Sequence, residues 1–169
     1  HLLELGARHT RTLAYMVAAA IFATGVFEGL FPKRTIAFIP MALLLPFLLS
    51  WLHRRLVKSV PTQAVSITVL LDGLVTGLGI AVAQYALEPT LVFIAMLNAT
   101  ALSFGNLFLW IFTGFFCLLG SLIGGLFLGS LDHNIHTSSL AMSVVSLIGA
   151  ACYFGFASFH SREQSRALI

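Results

Sequence analysis

Charged residues are scarce in this chain, and their scarcity indicates which broad type of protein it is. Asp, Glu, Lys and Arg make up 9% of the 169 residues, against roughly 25% in a soluble globular domain. Hydrophobic residues make up 59%. Alternation of apolar and polar residues at period two is also absent, which argues against a β-barrel. The composition therefore predicts an all-α integral membrane protein with no separate soluble domain among these residues.

The apolar residues fall into six runs, and we predict that each run is a membrane-spanning helix of one bundle. A span needs roughly 17–25 mostly apolar residues to cross about 30 Å of hydrocarbon. The second and fourth runs are at the short end of that range. The pair Gly105-Asn106 is interpreted as a tight turn that separates the fourth run from the fifth. The runs are residues 12–31, 36–52, 65–84, 90–105, 107–131 and 139–160.

Basic residues indicate which way the bundle faces, because cytoplasmic loops carry an excess of Lys and Arg. With the N-terminus in the cytoplasm, the outer loops hold only Lys33 and Arg34, and seven bases lie on the inner side. Those seven are Arg8, Arg11, Arg54, Arg55, Lys58, Arg162 and Arg166. We therefore predict that both termini are cytoplasmic. The bases mark contact with anionic membrane lipid, and no nucleic-acid partner is expected.

Composition divides the chain into three segments. Residues 1–11 place three leucines beside two arginines, which predicts a short amphipathic helix lying at the inner membrane interface. Residues 12–160 form the six-helix membrane domain. Residues 161–169 are polar and lack Gly and Pro, so they predict the start of a cytoplasmic signalling helix that leads to an output domain beyond these residues.

Small residues recur four positions apart and predict how the helices pack. In lipid, helices associate through close contact of small residues, because the hydrophobic effect does not act between them. The pattern does not choose between contacts within one chain and contacts between two chains. Cys117 and Cys152 lie inside predicted spans and are interpreted as small buried residues without a disulfide. The small-residue sets are Gly25/Gly29, Gly73/Gly77/Ala81, Gly120/Gly124 and Gly125/Gly129.

Polar residues inside the spans are the first candidate site, because they are costly in hydrocarbon and usually have a role. Asp72 lies about 10 Å from the inner end of the third span, and Thr68 and Thr76 lie one turn away on the same face. Asn98 and Tyr153 lie at the same depth in two other spans. We predict an intramembrane polar cluster in which Asp72 is hydrogen-bonded to Asn98, Tyr153 or a threonine. Two interpretations stay open: a cluster that fixes helix register, and a switch that responds to protons or to a ligand.

A second candidate site lies at the outer end of the first span. Glu28 precedes Lys33 and Arg34, which indicates either an interfacial ion pair or a mouth that holds the polar head of an amphipathic ligand. A cavity between these helices is expected to be lined by Phe, Leu, Gly and Ala, and so to suit an apolar molecule with one polar end. We expect the polar end at this outer mouth, with Asp72 and Asn98 as the deeper alternative.

Catalytic and metal-binding patterns are absent or weak. The chain has no Ser-His-Asp set in a loop and no Gly-rich phosphate cradle, so we predict that these residues are not an enzyme. Asp132, His133 and His136 in the last outer loop are weak candidates for Zn²⁺ or Cu²⁺, but no further strong ligand accompanies them and no metal site is predicted. No histidine lies at mid-span to bind haem. We expect no cofactor in this domain.

The third and fourth runs resemble a known family. An Asp follows paired apolar residues at Asp72, a turn with Pro follows at Pro89, and the fourth run continues through Met-Leu to the polar residue Asn98, with a small turn at Gly105. These features are similar to the membrane-associated sensor domain of the second class, a six-span module at the N-terminus of bacterial nucleotide cyclases. The resemblance covers roughly residues 8–160.

Two features depart from that family. In the second span, residues 45–48 read Leu-Pro-Phe-Leu, which keeps the Pro and Leu of the family's Trp-Pro-His-Leu pattern and lacks its Trp and His. In the fourth span, Asn98 follows Met-Leu where some members carry an acid-base pair. These departures affect the expectation of a shared ligand more than the expectation of a shared fold.

The resemblance implies a role in the bacterial inner membrane: anchor, dimerisation domain and sensor of an adenylate or diguanylate cyclase. It implies a homodimer, and a divalent metal only in the catalytic domain beyond these residues. Two alternatives stay open, a receptor module of a histidine kinase and a small proton-coupled transporter with Asp72 and Glu28 as proton sites. A transporter predicts inverted repeats, which the first three and last three spans do not show.

Overall fold

Every element that the structure describes is a helix. The computed structural model describes residues 2–61, 63–103, 107–128 and 139–166, and no strand occurs among them, so the all-α prediction is confirmed for this part of the chain. A short 3₁₀ helix, Lys33–Ala37, precedes the second α-helix. The α-helices are α1 (Leu2–Phe27), α2 (Phe38–Ser59), α3 (Ala64–Val82), α4 (Leu87–Ser103), α5 (Leu107–Leu128) and α6 (Leu140–Arg166).

Each of the six apolar runs corresponds to one helix, and four helical segments are long and apolar enough to cross a membrane. These four are His9–Phe27, Lys33–Ser59, Ala64–Val82 and Leu107–Leu128. The apolar parts of α4 and α6, Leu87–Leu102 and Leu140–Gly155, are shorter. The fourth and fifth runs are separate helices, as predicted, although the turn at 104–106 lies outside the described residues. The number of six spans stays a prediction.

The predicted boundaries at residues 11 and 160 do not coincide with breaks in the backbone. Helix α1 is continuous from Leu2 to Phe27, and α6 is continuous from Leu140 to Arg166. The segment 1–11, which we interpreted as a separate interfacial helix, is therefore largely the first part of α1. This continuity determines where Arg11 lies, as described below. The division into three functional segments stays a prediction.

The first and last helices of the bundle run antiparallel. Gly149 of α6 lies against Val17 of α1, and the Ser139 hydroxyl, just before α6, donates to the Glu28 carboxylate just after α1. The start of α1 and the end of α6 therefore lie at the same end of the bundle. This agrees with an even number of spans. That this end faces the cytoplasm stays a prediction.

Helices α3 and α5 run parallel and pack backbone against backbone. A Cβ on Gly73 would stand 2.6 Å from the carbonyl oxygen of Thr113, and one on Gly124 would stand 2.8 Å from the Cβ of Ala81. Real Cβ atoms essentially never make contacts that close, so only glycine allows this approach. The small-residue pattern of the sequence thus mediates contacts within one chain at this interface.

Backbone conformation explains where α1 and α3 end. Gly29 has φ of +72°, and the N–H of Leu30 donates to the carbonyl of Gly25 at 2.9 Å, which is the pattern of a glycine C-cap. At the end of α3, Gln84 and Tyr85 have φ of +52° and +56°, which is uncommon for residues with side chains. The Tyr85 hydroxyl donates to the Ser121 carbonyl of α5 at 2.8 Å, and this bond helps to hold the turn.

We predict that adding one methyl group at the α3–α5 interface destabilises the fold. In Gly77→Ala the new Cβ overlaps the Cys117 carbonyl oxygen, and in Gly120→Ala it overlaps the Leu74 carbonyl oxygen. Each change should lower the free energy of unfolding by about 1–3 kcal/mol, the usual cost of overpacking. Denaturant titration in detergent, followed by circular dichroism, measures it.

Gly114→Ala on α5 is the matched control, because a Cβ there meets nothing within 4 Å. It should be neutral or slightly stabilising, since alanine has the higher helix propensity. Equal stability of the Gly77→Ala and Gly114→Ala proteins would contradict the close α3–α5 packing.

Candidate functional site

A buried ion pair joins α1 to α3. Nε and Nη2 of Arg11 donate to Oδ2 of Asp72 at 2.9 and 2.7 Å, and the Tyr15 hydroxyl donates to Oδ1 at 3.2 Å. The side chains of Arg11 and Asp72 are only 14% and 9% exposed. Arg11 and Tyr15 are four residues apart on α1, so they lie on one helix face. Both oxygens of the Asp72 carboxylate are therefore hydrogen-bonded.

The prediction that Asp72 is buried is confirmed. Of the predicted partners, Thr76 bonds only the backbone carbonyl of Asp72, and the predicted partners of the carboxylate are wrong. Its carboxylate contacts Arg11 and Tyr15 and not Asn98, Tyr153 or a threonine hydroxyl. A guanidinium satisfies a buried carboxylate better than an amide or hydroxyl does, because it neutralises the charge as well as donating hydrogen bonds. Because α1 is continuous through residue 11, Arg11 enters the bundle instead of lying at the interface.

The other four residues of the predicted cluster make separate contacts. The Thr76 hydroxyl donates to the backbone carbonyl of Asp72 at 2.7 Å. The Thr68 hydroxyl donates to the Ala64 carbonyl at 3.0 Å and lies 3.5 Å from Nδ1 of His53. The bonds to carbonyl groups tie each threonine to its own helix, α3. The contact with His53 places Thr68 between α2 and α3, and only Thr76 lies beside the ion pair.

The remaining two members, Asn98 and Tyr153, bind different partners. Oδ1 of Asn98 accepts from Nε1 of Trp110 at 2.6 Å, which joins α4 to α5. The Tyr153 hydroxyl lies 2.6 Å from the Thr100 hydroxyl and donates to the Met96 carbonyl at 3.1 Å, which joins α6 to α4. The single five-residue cluster is thus wrong, although equal depth in the membrane was a sound reason to group these residues.

A cavity of about 350 Å³ lies beside the ion pair, among α1 to α5. Its polar lining residues are Arg11, Tyr15, Asp72, Thr76 and Thr100. All other lining residues are apolar, and they include the Phe, Leu, Gly and Ala that the sequence predicted as well as Val and Met. The volume is within the usual range for small-molecule pockets, about 300–1,000 Å³. The site thus combines an apolar space with one polar end.

The outer mouth predicted at Glu28, Lys33 and Arg34 is not part of this cavity. The Glu28 carboxylate accepts from the Ser139 hydroxyl, and Nη2 of Arg34 donates to the carbonyl of Leu128 at the end of α5. None of the three predicted residues lines the cavity, and Lys33 is exposed. The described contacts of Glu28 and Arg34 anchor helix ends, and a ligand head at this mouth stays a prediction.

The metal candidates of the sequence are not placed by the structure. Asp132, His133 and His136 lie outside the described residues. Within the described ranges, no group of three or more His, Cys, Asp or Glu residues is arranged to hold a metal ion.

One cysteine differs from its sequence interpretation. Cys152 is exposed, whereas Cys117 is buried as expected, and both are free. Near the start of α4, Glu88 lies partly buried with Oε1 at 3.5 Å from the Ser143 hydroxyl. Its Oε2 is buried without a hydrogen-bond partner among the described residues.

Sequence reasoning missed Arg11 and Tyr15 as site residues. The available signal was their spacing of four residues at the start of the first apolar run, at the same predicted end of the bundle as Asp72. A carboxylate inside a span calls for a basic partner, and Arg11 is the base closest to the apolar part of α1.

A family model, the MASE2 domain, matches residues 7–95, which is more than half of the chain. This region includes Arg11, Tyr15 and Asp72 and extends into α4. No curated protein and no solved structure matches the chain.

We predict strong energetic coupling between Arg11 and Asp72. Arg11→Met or Asp72→Leu alone leaves a buried charge without its partner and should cost about 3–5 kcal/mol. The double variant should be much closer to the native protein, because an apolar pair often replaces a buried ion pair at little cost. A double-mutant cycle on unfolding free energy in detergent measures the coupling.

The matched control is Arg55→Met, because Arg55 is exposed and lies over the Trp51 ring, 5.0 Å from its centroid. This change should cost less than about 1 kcal/mol. Additive effects of the two single changes at Arg11 and Asp72 would show that the ion pair does not stabilise the bundle.

Proposed function

Because the chain belongs to the MASE2 family of membrane-associated sensor domains, which are found in cyclases and kinases, we propose that it is the anchor, dimerisation and sensor domain of a bacterial nucleotide cyclase. In this proposal the domain lies in the inner membrane with both termini in the cytoplasm. A cytoplasmic catalytic domain, an adenylate or diguanylate cyclase that uses divalent metal, receives the signal.

The observation that carries this proposal is the position of the Arg11–Asp72 pair at the wall of the cavity. The pair joins α1 to α3, and both side chains line the cavity. A molecule in the cavity that interacts with either side chain changes the energy of the α1–α3 contact. Such a ligand shifts the conformational equilibrium only by the difference between its affinities for the two states.

Helix α6 supplies the path from this site to an output domain. It packs against α1 and against α4, and Gly149 lets it approach Val17 of α1 closely. Beyond its apolar part, which ends at Gly155, α6 continues as helix through Arg166, about 16 Å further at 1.5 Å per residue. A displacement of α1 is therefore carried along a continuous helix in this proposal.

A kinase output is the second candidate, because the same family of sensor domains is found in kinases. The membrane part would work in the same way for both outputs. Only the product that the whole protein makes distinguishes them.

We expect the full-length protein in native membranes to make cyclic AMP or cyclic-di-GMP, and we expect Asp72→Asn to change that output about fivefold or more, a typical coupling between sites. Arg55→Gln, in the exposed basic segment of α2, should leave the output unchanged. Both nucleotides and ATP-dependent autophosphorylation are measured at equal protein abundance. Autophosphorylation with production of neither cyclic nucleotide would contradict the cyclase and support the kinase as the output domain. An output unchanged by Asp72→Asn would contradict the proposed signal path.

We also expect a homodimer with α6 near its axis. Cys152 is exposed on α6 and Cys117 is buried in α5, so this domain carries one accessible cysteine in each copy. Mild oxidation in native membranes should trap a disulfide-linked dimer, and Cys152→Ser should abolish it, while Cys117→Ser should not. A monomer under these conditions would place α6 away from the axis, and a monomer with a general amine cross-linker as well would contradict the dimer.

A further inference from the structure

The polar residues that line the cavity lie at one end of it. Along α3, its lining runs from Asp72 to Val82, about 15 Å at 1.5 Å per residue. The polar side chains lie at the Asp72 end, and the Val82 end is apolar. A molecule that fills this space therefore places a polar group at one end and an aliphatic or aromatic part along the rest.

Charge at the polar end is already balanced. Arg11 and Asp72 carry opposite charges and are bonded to each other at 2.7 Å. A ligand with a net charge would bring an uncompensated charge into an almost wholly apolar cavity, which is costly. The balanced pair thus favours an uncharged head group.

Hydrogen-bonding capacity at the polar end favours an acceptor. A guanidinium has five N–H donors, and Arg11 uses its Nε and one N–H of Nη2 on Asp72. Among the described residues, no acceptor is found for its other N–H groups. Both oxygens of Asp72 are occupied by Arg11 and Tyr15. Within the ion pair, the free hydrogen-bonding capacity is therefore mainly that of Arg11 as a donor.

From these observations we propose that the cavity binds a single-chain amphiphile whose head is an uncharged hydrogen-bond acceptor, such as a carbonyl or hydroxyl group, placed against Arg11. A volume of about 350 Å³ suits one chain and not the two chains and charged phosphate of a bilayer phospholipid. The biological meaning of this site rests on the proposed sensor function, but binding itself requires no output domain.

Access from the bilayer fits the same ligand class. Met41 of α2 and Phe127 of α5 line the cavity and are 50% and 86% exposed. Side chains exposed on the outside of the bundle therefore form part of the cavity lining. In this proposal, an amphiphile dissolved in the membrane enters beside them without crossing water.

Gly79 offers a way to fill the cavity without touching the ion pair. A Cβ at this position would meet Cζ of Phe22 at 3.7 Å and Cε2 of Phe93 at 3.8 Å, which are ordinary contacts. In Gly79→Leu the rest of the side chain occupies the space of the ligand tail. Gly114→Leu is the matched control, because Gly114 is exposed on α5 with nothing near its Cβ.

The test uses the protein in phosphatidylethanolamine–phosphatidylglycerol nanodiscs and a photoactivatable diazirine analogue of 2-dodecanone. Unlabelled 2-dodecanone, 1-dodecanol, dodecanoate and dodecylammonium compete with it. We expect the ketone and the alcohol to compete at least about tenfold better than the two charged compounds. Peptide mapping should place the label on lining residues such as Phe93 and Met96.

Variants of the protein then test the contacts of the ligand's head group and of its tail separately. Gly79→Leu should reduce specific labelling about tenfold or more, and Gly114→Leu should leave it unchanged. Arg11→Lys keeps the charge but loses the planar donors, and it should weaken competition by the ketone about three- to tenfold, the range for one hydrogen bond.

Equal competition by all four compounds would reduce the site to an unselective slot for acyl chains and overturn the proposal. So would stronger competition by a charged compound, or labelling that Gly79→Leu leaves intact. Selective binding in the nanodisc together with a cyclase output that ignores 2-dodecanone would sustain the binding site and contradict the sensor function. The proposed binding site and the proposed sensor function can therefore be contradicted independently of each other.

Discussion

An ionised carboxylate inside a membrane domain has to be neutralised and hydrogen-bonded, and much of this structure follows from how Asp72 meets that requirement. Its partners, Arg11 and Tyr15, both come from α1, so α1 is fixed in height and rotation relative to α3. Helix α6 packs along α1, so the position of α6 depends on that of α1. A single satisfied acid thereby sets the relative placement of three helices, and it lies at the wall of the cavity.

The bundle combines two kinds of interface with different mechanical properties. Between α3 and α5, glycines bring the backbones into contact, and little can be compressed or rotated there. Between α1 and α3 lies a cavity, and the ion pair is the main specific link across it. Any conformational response to a ligand is therefore expected on the α1 side, with the α3–α5 pair as the fixed reference. In a MASE2 domain this arrangement suits a sensor, because the responsive side is the one that contacts α6.

The sequence predicted the helices well, since apolar runs and small-residue spacing depend on local composition and on the properties of lipid. It also identified Asp72 as a buried acid, because the cost of charge in hydrocarbon does not depend on the fold. It failed on the partners of Asp72. Depth along a span can be counted from sequence, but the rotation of one helix against another cannot, so Asn98 and Tyr153 at the right depth faced other helices. Arg11 was assigned to the interface because the continuity of α1 through that residue is a property of the folded backbone.

The order of these residues along the chain has a consequence for biogenesis. Helices enter the membrane from the N-terminus onward during synthesis, and Arg11 on α1 precedes Asp72 on α3. The acid therefore reaches the hydrocarbon when its base is already present, and it need not wait uncompensated for a later helix. The glycine face of α3 has the opposite situation, because α5 is made two helices later. Until α5 is made, that face has to pack against a transient partner, such as lipid chains or the insertion machinery. The nascent domain is therefore stabilised first by the ion pair and only later by the glycine-mediated packing of α3 against α5.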